Sequence, residues 1–324
     1  MFDALLGNPI ISAILVVIAV PIVLVGYIWV VERVVGLFRR TTAGRIRPWL
    51  WLAPALVFLG VFLVYPTIST IIRSFQNRSG DAFVEFENYR WFFTQPDTLI
   101  ALRNNVLWVI FLPLLVVGLG LLVAVLVDRV RFEGAAKTVI FLPLAISFVA
   151  AGVIWRFMYD LNPDIGTLNA TVTAVGGEPR AWLVEQPQNN LFLIIVGVWL
   201  LTGFAMVILS AGLKGISTEL LEAARVDGAN EFQVFRKIIF PLLLPTIAVI
   251  GTTIIIYALK TFDVVYTMTN GNFNTDVIAN SMYQQLFNNG QPGRAAAIAV
   301  ILFLAIVPVM IVNIRRFQQQ EAVR

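Results

Sequence analysis

Polar side chains that could bind a ligand lie at the end of one long apolar stretch, where Tyr257, Lys260, Thr261 and Asp263 are close together in the sequence. Spacings of three and four residues place Lys260 and Thr261 beside Tyr257 on one face of a helix. An aromatic face with hydroxyl and charged neighbours suits a sugar ring, which has apolar CH faces and a rim of hydroxyls. The same side chains are also compatible with simple anchoring at a membrane surface, where lysine side chains reach water.

The chemistry open to the chain is limited by what the sequence lacks. Its 324 residues include no cysteine and no histidine, which excludes disulfides, thiolate or imidazole metal sites, and nucleophilic catalysis by those residues. The sequence also contains no G-x-x-x-x-G-K-S/T loop and no G-x-G-x-x-G after a strand, the usual cradles for nucleotide phosphates. We therefore expect no catalytic residue, no metal site and no cofactor bound by this chain.

A polar island, Glu219 to Pro245, separates two long apolar stretches. Glu222 to Arg225 favour a helix, Asp227-Gly228 is a turn or helix-stop signal, and Glu231 to Phe240 begins a second amphipathic helix. The island is therefore predicted to form a helix-turn-helix outside the membrane. Polarity alone is equally compatible with an ordinary connector between two membrane spans.

The composition indicates an all-α, polytopic membrane protein. Hydrophobic residues make up 59% of the chain and charged residues 13%, against roughly 25% charged in soluble domains. Helices are expected throughout, because an open strand edge would leave backbone groups unpaired in lipid. The net charge of +4 lies beside the apolar stretches, so it indicates membrane topology and not nucleic-acid binding.

Seven apolar stretches approach the roughly 20 residues that a helix needs to cross a bilayer. We predict membrane spans at Ile10–Val31, Trp49–Ile72, Asn105–Val127, Thr138–Met158, Leu191–Leu213, Leu242–Phe262 and Ala295–Ile314. The first is kept as a true span because Met1-Phe2-Asp3 is acidic and the stretch is too long for a signal peptide. The expected organisation is an extra helix and basic loop over 1–48, a second span and outer loop over 49–100, a core over 101–314 that contains the island 219–245, and a tail over 315–324.

Lysine and arginine in the loops predict the orientation of the chain. Basic residues concentrate in the first, third and fifth loops and in the tail, so these segments are expected in the cytoplasm. Segment 159–190 has Arg180 as its one basic residue, and segment 263–293 has none, so both are expected outside. The charges of segment 73–104 balance, and alternation of the spans places it outside. The amino terminus is then outside, and the polar island and the carboxyl terminus are in the cytoplasm.

The polar island also carries a spaced pattern: Glu222-Ala223-Ala224, three residues, Gly228, nine residues, Ile238, one residue, Phe240-Pro241. This pattern resembles the EAA loop of binding-protein-dependent ABC importer permeases, with Phe240 where that family has leucine. In that family the loop is a coupling helix that sits in a cleft of the ATPase. The resemblance implies an ATPase-coupling role for Glu222, Ala223, Ala224, Asp227, Gly228, Ile238 and Pro241.

A similarity to the maltose-importer permease implies a substrate pathway. That family's sugar-contacting positions align with Gly197, Leu200, Leu201, Phe204, Tyr257, Ala258 and Thr261, to which the residue types add Lys260. Aromatic character persists at Phe204 and Tyr257, whereas family asparagines are replaced by Gly197, Ala258 and Thr261. Four stretches look like the alpha-glucoside and glucosylglycerol permeases, which implies an alpha-glucoside-type substrate: Ala101–Asn105, Phe141–Asp160, Gly176–Leu183 and Met268–Tyr283.

Together these features predict the non-catalytic permease subunit of an ATP-driven carbohydrate importer in a bacterial plasma (inner) membrane. The resemblance implies a second homologous permease, two ATPase subunits that bind ATP and Mg, an external sugar-binding protein, a sugar substrate and membrane lipid as partners. The alternative is a secondary sugar transporter driven by an ion gradient, which would carry carboxylates at mid-membrane. Here the carboxylates lie in loops or at span ends. The absence of His, Cys and clustered intramembrane Asp or Glu argues against a membrane-embedded enzyme.

Overall fold

The computed structural model describes residues 9–128 and 130–322, and the side chains of 17–128 and 130–315. In this part of the chain the structure is helical, with a single β-bridge between Gln76 and Phe83. The all-α prediction is therefore confirmed. Met1-Phe2-Asp3 and the end of the basic tail lie outside the described residues.

Thirteen helices are numbered here over the described residues: α1 (Pro9–Gly36), α2 (Arg40–Arg73), α3 (Glu87–Thr94), α4 (Pro96–Val127), α5 (Glu133–Phe141), α6 (Phe148–Met158), α7 (Thr167–Ala174), α8 (Asn189–Lys214), α9 (Thr218–Val226), α10 (Glu231–Leu259), α11 (Asp263–Met268), α12 (Ile278–Tyr283) and α13 (Pro292–Ala322). Two of them contain a π-helical turn, Gly60–Val64 in α2 and Phe235–Ile239 in α10. Pro66 and Pro241 each follow such a turn by two residues, and a proline provides no N–H for the regular helical bond.

The chain forms two compact units, Met1–Ser69 and Thr70–Arg324. In the first unit, α1 and the start of α2 form a hairpin. The Arg47 guanidinium donates to the Glu32 carboxylate at 2.8 Å, and the Trp51 indole N–H donates to its other oxygen at 3.3 Å. Val31 and Val35 are buried, whereas most described apolar side chains of α1 are exposed, as expected for a helix that faces lipid.

In the second unit, α4 and α8 lie at the centre and pack closely along their length. A Cβ atom added at Gly120 of α4 would lie 2.7 Å from the Ala205 Cβ on α8, so a small residue is needed at this crossing. The core around the pair includes Trp108, Leu193 and Met206.

Six described helices, α1, α2, α4, α8, α10 and α13, are long and apolar enough to cross a membrane. The predicted fourth span, Thr138–Met158, is a broken pair in which α5 with its following turn meets α6 at a bend of 100°. The sequence explains the break locally. Pro143 lies in a 3-10 turn, and the Ser147 hydroxyl accepts a hydrogen bond from the Ala150 N–H at 3.2 Å, which starts a new helix. Counting the pair as one span gives seven.

Candidate functional site: a cavity at two helix breaks and a polar helix-turn-helix

A cavity of about 420 Å³ lies within the second unit, between α4, α6, α8 and the end of α10. Five of the eight predicted pathway residues line it: Gly197, Leu201, Tyr257, Lys260 and Thr261. Gly197 and Leu201 lie about 12 and 18 Å along α8 from its start at Asn189, at 1.5 Å per residue. The cavity is therefore near the middle of this 26-residue span.

Two interrupted helices meet at this cavity. The helix α6 begins at Phe148, directly after the bend in the fourth span, and α10 ends at Leu259, four residues before α11 begins at Asp263. Phe148 and Tyr257 line the cavity, and their rings stack with centroids 6.1 Å apart and planes 22° apart. Asp263 also lines it, so this carboxylate, expected at the end of a span, lies at a cavity near the middle of α8. Irregular backbone at membrane depth is tolerated where it lines a cavity or is buried in protein.

The end of α10 is held by Asn105, a buried residue of α4. Its side-chain amide donates to the carbonyl oxygens of Ala258 and Leu259, in the last turn of α10, at 3.4 and 3.3 Å. Its carbonyl oxygen accepts from the Ile278 N–H at 2.7 Å. One side chain therefore fixes both the break in α10 and the start of α12.

Two glycines of α8 permit close packing, Gly197 beside the cavity and Gly203 at the end of α5. A Cβ added at Gly197 would lie 2.9 Å from Leu112 Cδ1 and 3.2 Å from Trp108 Cζ3, side chains that also line the cavity. A Cβ added at Gly203 would lie 2.4 Å from the Ile140 carbonyl oxygen and 2.6 Å from the Phe141 Cα. Because these last contacts are with backbone, α8 can approach the end of α5 only through a glycine.

The other three predicted pathway residues do not line the cavity. Leu200 and Ala258 are 1% and 0% exposed and belong to the core of the second unit. Phe204 is partly buried and packs against the same core. Trp108 and Phe148 are cavity-lining residues that the sequence did not suggest, because each comes from a helix far from α8 and α10 in the chain.

The polar island forms a helix-turn-helix, as its sequence predicts. The helix α9 ends before Asp227, Gly228 has φ +86°, and α10 begins at Glu231. The start of α10 is capped by a reciprocal pair: the Asn230 side chain accepts from the Gln233 N–H, and the Gln233 side chain accepts from the Asn230 N–H, both at 2.9 Å.

An ion pair also joins the two helices of this element. Arg225 Nε donates to Glu231 Oε1 at 2.8 Å, and this hydrogen bond raises the pKa of Arg225 above its usual value. The turn is therefore held from both sides, by the cap at the start of α10 and by the pair between α9 and α10.

The predicted coupling residues lie on the surface of this element. Glu222, Ala223, Asp227 and Gly228 are exposed, Ala224 is half-buried, Ile238 lies in the π-helical turn, and exposed Pro241 follows that turn. Three large apolar side chains beside them are also exposed: Leu220 at 46%, Val226 at 87% and Phe232 at 69%. An exposed cluster of small, charged and apolar residues on a rigid turn has the character of a docking surface.

The sequence is similar to a known family of transport proteins and to individual proteins within it. A family model described as "Binding-protein-dependent transport system inner membrane component" matches residues 105–318. The osmoprotective compounds uptake permease protein GgtC of Synechocystis sp. is 50% identical over 279 residues, covering 85% of this chain and all of the relative. The alpha-glucoside transport system permease protein AglF of Rhizobium meliloti is 48% identical over 284 residues, covering 86% of this chain and 84% of the relative.

Among solved structures, a chain of a bacterial ABC transporter involved in the import of the acidic polysaccharide alginate has a similar fold. The two superpose with a TM-score of 0.74 at 23% identity, covering 86% of this chain and 99% of the other. This likeness supports the helical architecture described above.

Proposed function

Because the chain belongs to the family of binding-protein-dependent transport system inner membrane components, we propose that it carries an alpha-glucoside or glucosylglycerol through the cavity at the two helix breaks. It is a multi-pass inner-membrane protein, the non-catalytic permease subunit of an ABC importer of sugars or osmolytes. ATP is hydrolysed on separate subunits of such importers. The substrate, the pathway and the coupling contacts are the proposed part.

The meeting of two interrupted spans at one cavity carries the proposal. Transporters commonly bind their solute near the bilayer midplane, where discontinuous helices leave backbone groups free to face it. Here the breaks precede Phe148 and follow Leu259, and the cavity between them lies near the middle of α8. Its volume of about 420 Å³ lies in the range of roughly 300–1,000 Å³ that is usual for small-molecule sites.

The cavity wall suits one sugar ring. The stacked Phe148 and Tyr257 rings provide an aromatic surface for the apolar CH face of a pyranose. Lys260, Thr261 and Asp263 provide donors and acceptors for its hydroxyl groups. The names of two relatives, one a permease for alpha-glucosides and one for osmoprotective compounds, support a small glucosylated solute.

A direct test compares Tyr257→Ala with Tyr257→Phe in the complete importer, reconstituted with its ATPase and binding protein in liposomes. We expect Tyr257→Ala to lower the initial uptake of radiolabelled glucosylglycerol or maltose at least tenfold, and Tyr257→Phe to retain much more, because the aromatic face is kept. Tyr65→Ala is the matched control, since Tyr65 is an exposed tyrosine of α2 that does not line the cavity. Equal uptake by all three variants would exclude this pathway. Uptake that persists without ATP under an ion gradient would favour a secondary transporter.

The proposed contact with the ATPase is the helix-turn-helix, which we place in the cytoplasm. The exposed Glu222 and small Ala223 would enter a cleft of the ATPase, with Val226 and Phe232 as apolar contacts at its rim. Closure of two ATPase subunits would then move this element and the corresponding one of a second, homologous permease. That movement would open the cavity alternately to the external binding protein and to the cytoplasm. In this arrangement the amino terminus is outside and the carboxyl terminus is in the cytoplasm.

Gly228→Pro and Glu222→Lys test this contact. Both variants should abolish uptake while the protein remains in the membrane, because proline cannot adopt φ +86° and lysine reverses the docking charge. Gly176→Pro is the matched control: Gly176 has φ +84° and the space around it is equally open, but it lies in the loop after α7. Normal uptake by Gly228→Pro and Glu222→Lys, or equal loss in Gly176→Pro, would remove the coupling assignment.

A further inference from the structure

A second cavity, of about 290 Å³, lies in the second unit where α4 begins. It shares no lining residue with the cavity at the helix breaks. Its wall comes from the junction of α3 and α4 and from the segment 270–289, and its chemistry is dominated by amides. We call it the amide cavity, defined by Gln95, Asp97, Asn272, Asn280, Gln285 and Asn289.

One buried group in the wall of the amide cavity is left without a partner. Asn280 is 0% exposed, and its side-chain nitrogen donates to Asp276 Oδ1 at 2.7 Å. Its Oδ1 atom receives no hydrogen bond from any described residue. A buried acceptor without a donor destabilises a protein, and native structures normally satisfy such groups with protein, water or ligand. Asn280 therefore offers a hydrogen-bond acceptor to a molecule in the cavity.

The frame around Asn280 is rigid before any ligand arrives. The Asp276 carboxylate accepts hydrogen bonds from the Val277 N–H, the Asn280 amide and the Ser281 hydroxyl. The Asn104 amide donates to the carbonyl oxygens of Asn274 and Asp276 at 2.8 and 2.7 Å. Because these bonds fix the loop, binding in the cavity would cost little ordering of the backbone.

The wall selects for a neutral, hydroxyl-rich ligand. Each amide offers both donors and acceptors, as each sugar hydroxyl does, and Asp97 adds an acceptor-only carboxylate. No lysine or arginine is among the described residues that line the cavity, so an anion would find amide donors but no balancing positive charge beside Asp97 and Asp276. Trp91 adds an aromatic edge to the wall and is itself held by Arg294, whose guanidinium lies 4.6 Å from the ring centroid.

We infer that the amide cavity is a second solute site of the permease, which holds one sugar ring of the transported solute. The volume is close to the lower limit of roughly 300 Å³ for small-molecule sites, so it fits a single ring and not a long oligosaccharide. The inference rests on the proposed function for its class of solute, and it adds a second site where that solute binds.

The test is photolabelling of the complete importer in lipid nanodiscs with a diazirine derivative of glucosylglycerol. Trypsin would leave residues 261–294 in one peptide, because no lysine or arginine lies between Lys260 and Arg294. Chymotrypsin separates the two cavities, since it cuts after Tyr266 and Phe273. We expect label on peptides from 274–289 as well as from 253–266, and both should be competed away by unmodified glucosylglycerol.

Variants make the assignment specific. Asn289→Leu and Gln285→Leu should each lower the competed label on 274–289 at least fivefold without lowering the label near Tyr257. Gln291→Leu is the matched control, because this neighbouring amide lies outside the cavity wall, and it should leave both labels unchanged. Label near Tyr257 alone, with normal uptake, would overturn the second site and leave the proposed function intact. Absence of competed label at both places, together with absence of uptake, would refute the proposed solute class and the second site with it.

Discussion

Gly203→Ala is the most informative single change, because one methyl group is placed against backbone. The added Cβ would lie 2.4 Å from the Ile140 carbonyl oxygen and 2.6 Å from the Phe141 Cα. Since carbon atoms pack best at about 3.5–4.0 Å, α8 and the end of α5 must separate by about 1 Å. Overpacking of this kind costs about 1–3 kcal/mol. At roughly 2–4 °C per kcal/mol, the Tm should fall by about 2–12 °C.

The assay is thermal unfolding of the purified permease in detergent, together with uptake by the reconstituted importer. Gly251→Ala is the control, because Gly251 also lies within a long helix but has no neighbour within 4 Å of an added Cβ. That variant should keep or raise the Tm, since alanine favours a helix over glycine by about 1 kcal/mol. Gly203→Ala should also lower uptake, because the end of α5 leads into the bend before Phe148. Equal Tm values for the two variants would refute the close approach of α8 and α5.

Two further predictions concern the loop before α12. Burial raises the pKa of Asp276 above its ordinary 3.8, so the carboxyl group stabilises the fold fully below that pH and loses this contribution as pH rises through its folded pKa. The Tm of the wild type relative to Asp276→Asn should therefore fall as the pH rises above about 4, and a constant difference would contradict the burial. Asn104→Ala removes the hydrogen bonds to the carbonyl groups of Asn274 and Asp276, each worth about 0.5–1.5 kcal/mol, and leaves Asn274 with its weaker donor, the Asn190 amide. Chymotrypsin should then cut after the exposed Phe273 faster than in the wild type, and an unchanged rate would show that Asn104 does not hold the loop.

The apolar stretches of the sequence located the helices well, but not their ends. The helix α2 begins at Arg40 and not at Trp49, and α4 begins at Pro96 and not at Asn105. Hydropathy detects only the part of a helix that lies in lipid, whereas polar and charged residues continue these helices beyond it. The break in the fourth span was signalled locally by Pro143 and by Ser147 before an apolar run, although length alone predicted one continuous helix.

Residues of the site could be predicted within one helix but not between helices. Lys260 and Thr261 lie three and four residues after Tyr257, and this spacing reveals a shared side of the helix end. Gly197 and Leu201 were expected from the similarity to the maltose-importer permease. Leu200 lies on another face of α8 and is buried in the core. Trp108 and Phe148 could not be found in this way, because their place in the cavity depends on how α4 and α6 pack against α8. The end of α10 at Leu259 depends likewise on Asn105, more than 150 positions earlier in the chain.

The two neighbouring asparagines of α4 have a mechanical consequence. Asn104 forms hydrogen bonds with the loop that frames the amide cavity, and Asn105 forms hydrogen bonds with the end of α10 and the start of α12. Consecutive residues of a helix point about 100° apart, so rotation of α4 about its axis would distort the hydrogen bonds of both asparagines at once. We therefore expect the loop before α12, the end of α10 and the start of α12 to move together with α4 in the transport cycle.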